Sequence, residues 1–347
     1  MTQRPIGYYV HHHGAGHRTR AAAIAAACDR PIVLLGTGMG EAGLDLPDDR
    51  PLSGRFDGLD EAPHRPDALH YAPVDHEGIR ARVARIVEWI ARERPALMVV
   101  DVSVEVAMLA RLASVPTVCV RLNGERDDPA HLDAFRGATG LLAPFHEALE
   151  APSTPDWVRE KTRYFPGLTA APAIDAPVDH RILVVFGKGG APGDGTLLAA
   201  AARACPQWQW RVIGPAFACA DIPDNLVFAG WVDSPAREIG RATLVIGAAG
   251  IGLVSAVLAA DRPFVCIPES RPFAEQVTTA SGLKVYGAAI VEHAWPDAEA
   301  WPAIIQEALA LPVAARRALH DPQGARKAAA WIASLADAAS ISWEDAA

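Results

Sequence analysis

The sequence predicts a two-domain α/β protein in which parallel sheets are flanked by helices. Short apolar runs alternate with helix-period segments along the 347-residue chain. That alternation breaks off once, in a stretch punctuated by Pro152, Pro155, Pro166, Pro172 and Pro177, and then restarts. At roughly 150 residues per domain the length accommodates two such units. The boundary falls at residues 166–178, giving a first domain at 1–165 and a second at 178–347 with a terminal helix.

Pro5–Val10 reads as a strand, Gly16–Cys28 as a helix and Pro31–Leu35 as the next strand. Gly36–Asp75 is rich in Gly, Pro and Asp and too long for an ordinary connection, so it reads as a functional loop. Ile79, Val83, Ile86, Val87 and Ile90 then recur at the helical period, with Arg80, Arg82, Arg85 and Glu88 on the other side, and Pro95 ends the run. Strand Ala96–Val100, helix Val104–Ala113 and strand Pro116–Arg121 follow. The second half supplies strand Arg181–Phe186, helix Thr196–Ala204 and strand Gln209–Ile213. Strand Thr243–Ile246, helix Gly252–Ala260, strand Pro263–Ile267 and helix Ala274–Gly282 come next, and Gly324–Asp337 is one more amphipathic helix.

Half the residues are apolar and only 21% charged, enough to build large cores and incompatible with disorder. Lys plus Arg number 32 against 41 for Asp plus Glu; the resulting charge of -9 argues against a nucleic-acid partner. Cys28, Cys119, Cys205, Cys219 and Cys266 are odd in number and form no C-x-x-C pair, so they read as core residues of a reducing compartment. No apolar h-region opens the chain, and no run reaches the roughly 18 apolar residues of a membrane span. A soluble, cytoplasmic protein is expected.

Gly14-Ala15-Gly16-His17-Arg18-Thr19-Arg20 lies directly after the first strand and opens the first helix. Glycines permit close backbone approach, and a helix N-terminus attracts anions. His17 in the first turn can face a cleft beyond the strand ends. Asp101 ends its strand, where a carboxylate can orient a histidine or a substrate hydroxyl; helix capping by Asp101 or Ser103 is the competing reading. Arg121, Asn123, Glu125 and Arg126 form a polar cluster on the same rim. His11, His12 and His13 are consecutive on an extended segment and point to opposite faces, so no metal site is expected. Gly38–Gly43 matches the dinucleotide fingerprint in spacing, but the segment after it cannot be the required helix. In the second half, Gly187-Lys188-Gly189-Gly190 and Gly247-Ala248-Ala249-Gly250-Ile251-Gly252 each follow a strand, and together they make a diphosphate cradle. Neither is a P-loop.

The stretch Gly247–Ala289 resembles the donor-binding domain of glycosyltransferase family 28, within the GT-B superfamily. The shared features are a glycine-rich turn, a helix ending before Pro263, an apolar strand ending in Ile267-Pro268, then Glu275-Gln276 and Gly287-Ala288-Ala289. ILVVFGKGG, the Phe228–Val232 turn (FAGWV) and GAGHRTR resemble further turns of these proteins. The resemblance implies two facing Rossmann-like domains, the first on the acceptor side and the second binding the donor. It implies metal-independent, inverting sugar transfer from a nucleotide diphosphate sugar, UDP type foremost, to a small-molecule or lipid-linked acceptor. It implies no separate cofactor, and it is compatible with peripheral membrane contact.

Residue by residue, the resemblance sets Gly189, Gly190, Ala249 and Gly250 at the diphosphate, Val232 at the base through its backbone, Glu275 and Gln276 at the sugar, and His17 at the reacting carbon. Gly16, Lys188, Trp231 and Ile251 of the same turns complete the candidate donor-binding set. His17 as general base, oriented by Asp101 or Glu125, forms the catalytic set. Where the family usually has a ribose-binding Glu, this chain has Ala256. A nucleotide-sugar hydrolase using His17 to activate water shares the G-x-G-H-x-x-R turn, and a non-catalytic nucleotide-sugar binding subunit is the third reading.

Overall fold

The computed structural model describes residues 3–12, 15–50, 66–169 and 176–344. The first half runs β1 (Ile6–Tyr9), α1 (Ala15–Ala26), β2 (Ile32–Gly36), β3 (Gly43–Asp45), α2 (Glu77–Glu93), β4 (Leu97–Asp101), α3 (Val104–Leu112), β5 (Thr117–Val120), α4 (Pro129–Gly137), β6 (Gly140–Ala143), α5 (Asp156–Lys161) and β7 (Thr162–Tyr164). The second runs β8 (Arg181–Val185), α6 (Gly195–Ala204), β9 (Gln209–Ile213), β10 (Leu226–Gly230), α7 (Pro235–Arg241), β11 (Leu244–Gly247), α8 (Ile251–Ala259), β12 (Phe264–Cys266), α9 (Glu275–Val285) and β13 (Ile290–Val291). Helices α10 (Trp301–Ala310), α11 (Val313–Ala318) and α12 (Gly324–Glu344) complete the chain. No helix among the described residues is long and apolar enough to cross a membrane.

The strands form two sheets, in the orders β3-β2-β1-β4-β5-β6-β7 and β10-β9-β8-β11-β12-β13. Every strand pairing is parallel. Each sheet is covered on both faces, which is why its strands read as continuous apolar runs. Alternate residues of β4 divide between the two faces: Met98 and Val100 pack with Ile86, Trp89 and Phe135, whereas Leu97 and Val99 pack with Ile24 and Ile332. In the second sheet Leu183 meets Val257 and Leu283 on one face, and Ile182 and Val184 meet Leu198 and Trp301 on the other. Local signals start several helices: Ser103, Asp128 and Asp194 accept hydrogen bonds from first-turn amides, and Pro129 and Pro235 stand at first helical positions.

Two expectations change. The Gly36–Asp75 segment is not one uninterrupted loop: β3 lies inside it and extends the sheet, while its residues 51–65 fall outside the described ones. Glycine-rich, three-residue edge strands carry too little periodicity to read. The terminal helix does not belong to the second domain. Ala328, Ala329, Ile332 and Ala336 of α12 are buried against β1, β4 and α1, so the chain's end closes the first domain's core. Where the chain leaves and re-enters that domain, Gly167 and Gly324 lie so close to the carbonyls of Asp321 and Pro166 that a Cβ on either would collide. His13 and Gly14 lie outside the described residues.

Candidate active site

Ligands of open parallel sheets bind beyond the carboxyl ends of the strands, where the strand order reverses. Here those points lie between β1 and β4 and between β8 and β11. The turn after β1 carries His17, the end of β4 carries Asp101, and the turns after β8 and β11 carry the two glycine runs. The topology therefore puts most of the candidate residues at two switch points. Those points face each other: the Cα of Gly16 and Gly252, at the starts of α1 and α8, lie within 4 Å of where a Cβ on the opposite glycine would stand.

His17 Nδ1 is 3.0 Å from Asp101 Oδ1. Asp101 is fully buried, and Arg20, one helical turn after His17, donates to it from Nε at 3.2 Å and from Nη2 at 2.9 and 2.8 Å. Tyr8 approaches the same carboxylate from β1 at 3.5 Å. Burial alone pushes the Asp101 carboxyl up; the charge of Arg20, then that of His17, and their hydrogen bonds outweigh it and hold it at about 2. Arg20 is raised despite its burial because Asp101 is its counter-ion. Arg20 Nη2 also lies 3.0 Å from His17 Nδ1, but its hydrogens already serve both carboxylate oxygens. The Nδ1 proton of His17 therefore points to Asp101, which leaves the Nε2 lone pair for the cleft. His11 lies beside His17, with ring centroids 5.4 Å apart, and stacks on His12 at 4.8 Å.

Glu125 is elsewhere. It is exposed on the loop after β5, its amide donating to the Phe273 carbonyl at 2.7 Å, and the carboxylate that meets His17 is Asp101. Sequence reading named Arg20 only as part of the turn; its role as the clamp on Asp101 comes from a contact spanning 81 positions. The rest of that cluster turns inward: Arg121 pairs with Glu150, Asn123 donates to the Leu149 carbonyl at 2.6 Å, and Arg126 reaches Glu275 at 3.1 Å.

On the facing side, α8 starts at Gly250 with no side-chain cap, so its first amides are not satisfied by a capping side chain. Ala249 is buried beneath the turn, Ile251 begins the helix, and Gln276 Nε2 lies 3.9 Å from where a Cβ on Gly250 would sit. Gln276 accepts from the Glu269 amide at 2.9 Å, and Glu269 in turn accepts from the Ala191 amide at 3.2 Å and crowds Gly190. A cavity of about 210 Å³ opens here, lined by Phe186, Gly187, Ala248, Glu269 and Trp295 among others. Lys188 Nζ stands 5.8 Å from the ring of Trp231, which is exposed, and Val232 packs partly on the core. Gly189 is exposed next to Lys188. Ala256 packs against the core on the same helix and presents only a methyl group.

One group was missed by sequence reading. His70, Asp128 and His131 bring ligand-type atoms within 4.8 Å of one another. The set is a hydrogen-bonded network rather than a cation site, because the guanidinium of Arg126 sits 3.0 Å from His131 Nε2, where it would repel a metal ion. Burial first, and then the charge of Arg126, push His131 down to about 3.

No protein-family model matches the chain, and no curated protein sequence matches it. Solved structures do. The glycotransferase of kitacinnamycin superposes with a TM-score of 0.64 at 14% identity over 98% of both chains. MurG of Acinetobacter baumannii gives 0.64 at 15% identity, covering 96% of this chain and 99% of that one. The glycosyltransferase VinC in complex with dTDP gives 0.65 at 14%, again over 96% and 99%. The chain therefore has the GT-B fold, two facing Rossmann-like halves with the candidate residues at the carboxyl edges of both sheets.

Proposed function

We propose that the protein is a metal-independent inverting glycosyltransferase. It moves a sugar from a nucleotide diphosphate sugar, with a UDP-sugar as the first donor to try, to an acceptor hydroxyl. The observation that carries this is the His17–Asp101–Arg20 triad at the start of α1, set against the uncapped start of α8. One helix end offers a base, and the other offers amides and a positive dipole to a diphosphate. The fold-level likeness to VinC and to MurG supports the reading by analogy. Because VinC was solved with dTDP, thymidine donors belong in the first screen.

In this mechanism His17 Nε2 takes the proton of the acceptor hydroxyl as its oxygen attacks the anomeric carbon. The bond from that carbon to the diphosphate oxygen breaks in line, and the configuration inverts. The amides of the Gly250 turn, the glycine run after β8 and Lys188 stabilise the departing charge. Trp231 and Val232 form the base platform, and Glu275 and Gln276 read the sugar. The test is His17→Ala: single-turnover rates at saturating donor fall about 10²–10⁴-fold, while nucleotide affinity stays within a few-fold. A loss below tenfold overturns the assignment of the base. Product analysis across UDP and dTDP sugars completes it: sugar released to water without acceptor identifies a hydrolase, and nucleotide binding without turnover identifies a binding subunit.

A further inference from the structure

Glu275, read above as a sugar contact, is held by a residue of the other domain. Arg126, on the loop after β5, is 8% exposed and gripped on every side. Its Nε donates to the carbonyls of Leu122 and Asn123 at 3.0 and 3.3 Å, Nη1 meets His131 Nε2 at 3.0 Å, and Nη2 donates to Glu275 Oε2 at 3.1 Å. The guanidinium lies over the ring of Phe273, 5.0 Å from its centre. His131 keeps its acceptor nitrogen toward Arg126 because its other nitrogen donates to Asp128 at 2.5 Å, and His70 braces the same carboxylate at 2.7 Å.

The backbone just before Glu275 is strained. Phe273 and Ala274 both take left-handed conformations, at φ 60° and 50°, which non-glycine residues rarely adopt, still less in succession. The first domain holds them there. The Phe273 carbonyl accepts the Glu125 amide, and Gly124, at φ 109°, leaves room where a Cβ would collide with that carbonyl. The Phe273 ring is packed edge-on by His131 at 4.7 Å and flanked by His70 at 5.3 Å. Glu275 is the first residue of α9, so this docking sets where its carboxylate stands.

We infer that Arg126 is a specificity-determining positioning residue: by pairing with Glu275 and stacking on Phe273, the acceptor-side domain fixes the carboxylate that reads the donor sugar's hydroxyls. Discrimination among nucleotide sugars then depends on a residue that contacts neither nucleotide nor sugar. The inference rests on the proposed reading of the cleft as a nucleotide-sugar site.

The test compares calorimetric affinities for UDP and dTDP with those for UDP-glucose, UDP-N-acetylglucosamine and dTDP-glucose; the ratio measures what the sugar adds. In Arg126→Met the nucleoside diphosphate affinity stays within twofold, and the sugar's contribution falls at least tenfold. Glu275→Gln gives the same loss, and the double variant adds nothing further, as expected for two residues acting through one contact. Arg126→Lys, which keeps the charge but loses the planar stack, falls between. Should Arg126→Met fail to fold, Arg126→Lys and Glu275→Gln carry the test. Wild-type discrimination retained in the Arg126 variants, or additive losses in the double, overturns this inference and leaves the transferase reading intact. A wild type that binds none of the probes overturns both.

Discussion

Replacing Asp101 by Asn removes one charge and almost no volume, and the structure sets two separate consequences. The first is stability. Arg20 is 2% exposed and loses the carboxylate that takes all three of its hydrogen bonds to Asp101. Removing one partner of a buried pair costs about 3–5 kcal/mol, because the remaining charge is left uncompensated. At about 2–4 °C per kcal/mol for a domain of 150–250 residues, the first domain's transition falls by roughly 6–20 °C. The second, on the proposed transferase mechanism, is turnover. An amide can donate to His17 Nδ1 as readily as accept from it, so the Nε2 lone pair is no longer secured and the general-base share, about 10²–10⁴, is lost. That is about 2.7–5.4 kcal/mol of barrier. The double variant Asp101→Leu/Arg20→Met separates the two effects. Replacing both charges by apolar groups is about neutral or stabilising by 1–4 kcal/mol, so scanning calorimetry shows the transition restored. Single-turnover rates at saturating donor remain at least about 10²-fold down. A double variant that regains both stability and turnover shows that Asp101 only packs the turn, and the triad argument fails.

Three further outcomes are expected. Gly250→Ala folds normally, since nothing but Gln276 Nε2 at 3.9 Å lies near the new Cβ, and on the proposed reading calorimetry shows nucleotide diphosphate binding weakened by the blocked backbone approach. The pair at Asp101 contributes stability that is fully present above the unfolded carboxyl value near 3.9 and is lost as pH falls toward about 2. Acid titration of the melting temperature between pH 4 and 2 is therefore steeper in wild type than in Asp101→Leu/Arg20→Met. Ile332→Ala, at a fully buried site on α12, costs about 2–5 kcal/mol, and hydrogen exchange shows the loss in β1 and β4; a loss confined to the second sheet contradicts the packing.

Much of the architecture is a local property of the chain, and for that reason it is legible without coordinates. The strands are buried on both faces and so read as apolar runs. The helical period of α2 is only partly its core face: Ile86, Trp89 and Ile90 are buried in the core, whereas Val83 and Val87 are exposed and Arg82, read as an outer residue, is buried with its guanidinium donating to the Tyr9 hydroxyl. The glycine run after β11 leads directly into α8, the run after β8 lies in the turn before α6, and His17 is visible because its turn too leads from a strand into a helix. Edge strands β3 and β7 escaped because three residues carry no period.

What the sequence could not decide is who meets whom across long separations. Asp101 at the end of β4 and Glu125 on the loop after β5 are both carboxylates on the same rim, and only the fold brings Asp101, 84 positions away, onto His17. Helix α12 is equally amphipathic whichever domain it covers, and only the close passage of Gly167 and Gly324 returns it to the first sheet. Arg126 looks like one more polar rim residue until folding places Glu275, 149 positions on, against it. Burial and hydrogen bonding within a segment are written in its period and its caps. Pairing between segments is set by the topology of the sheets, which determines the contact and, through desolvation, its strength.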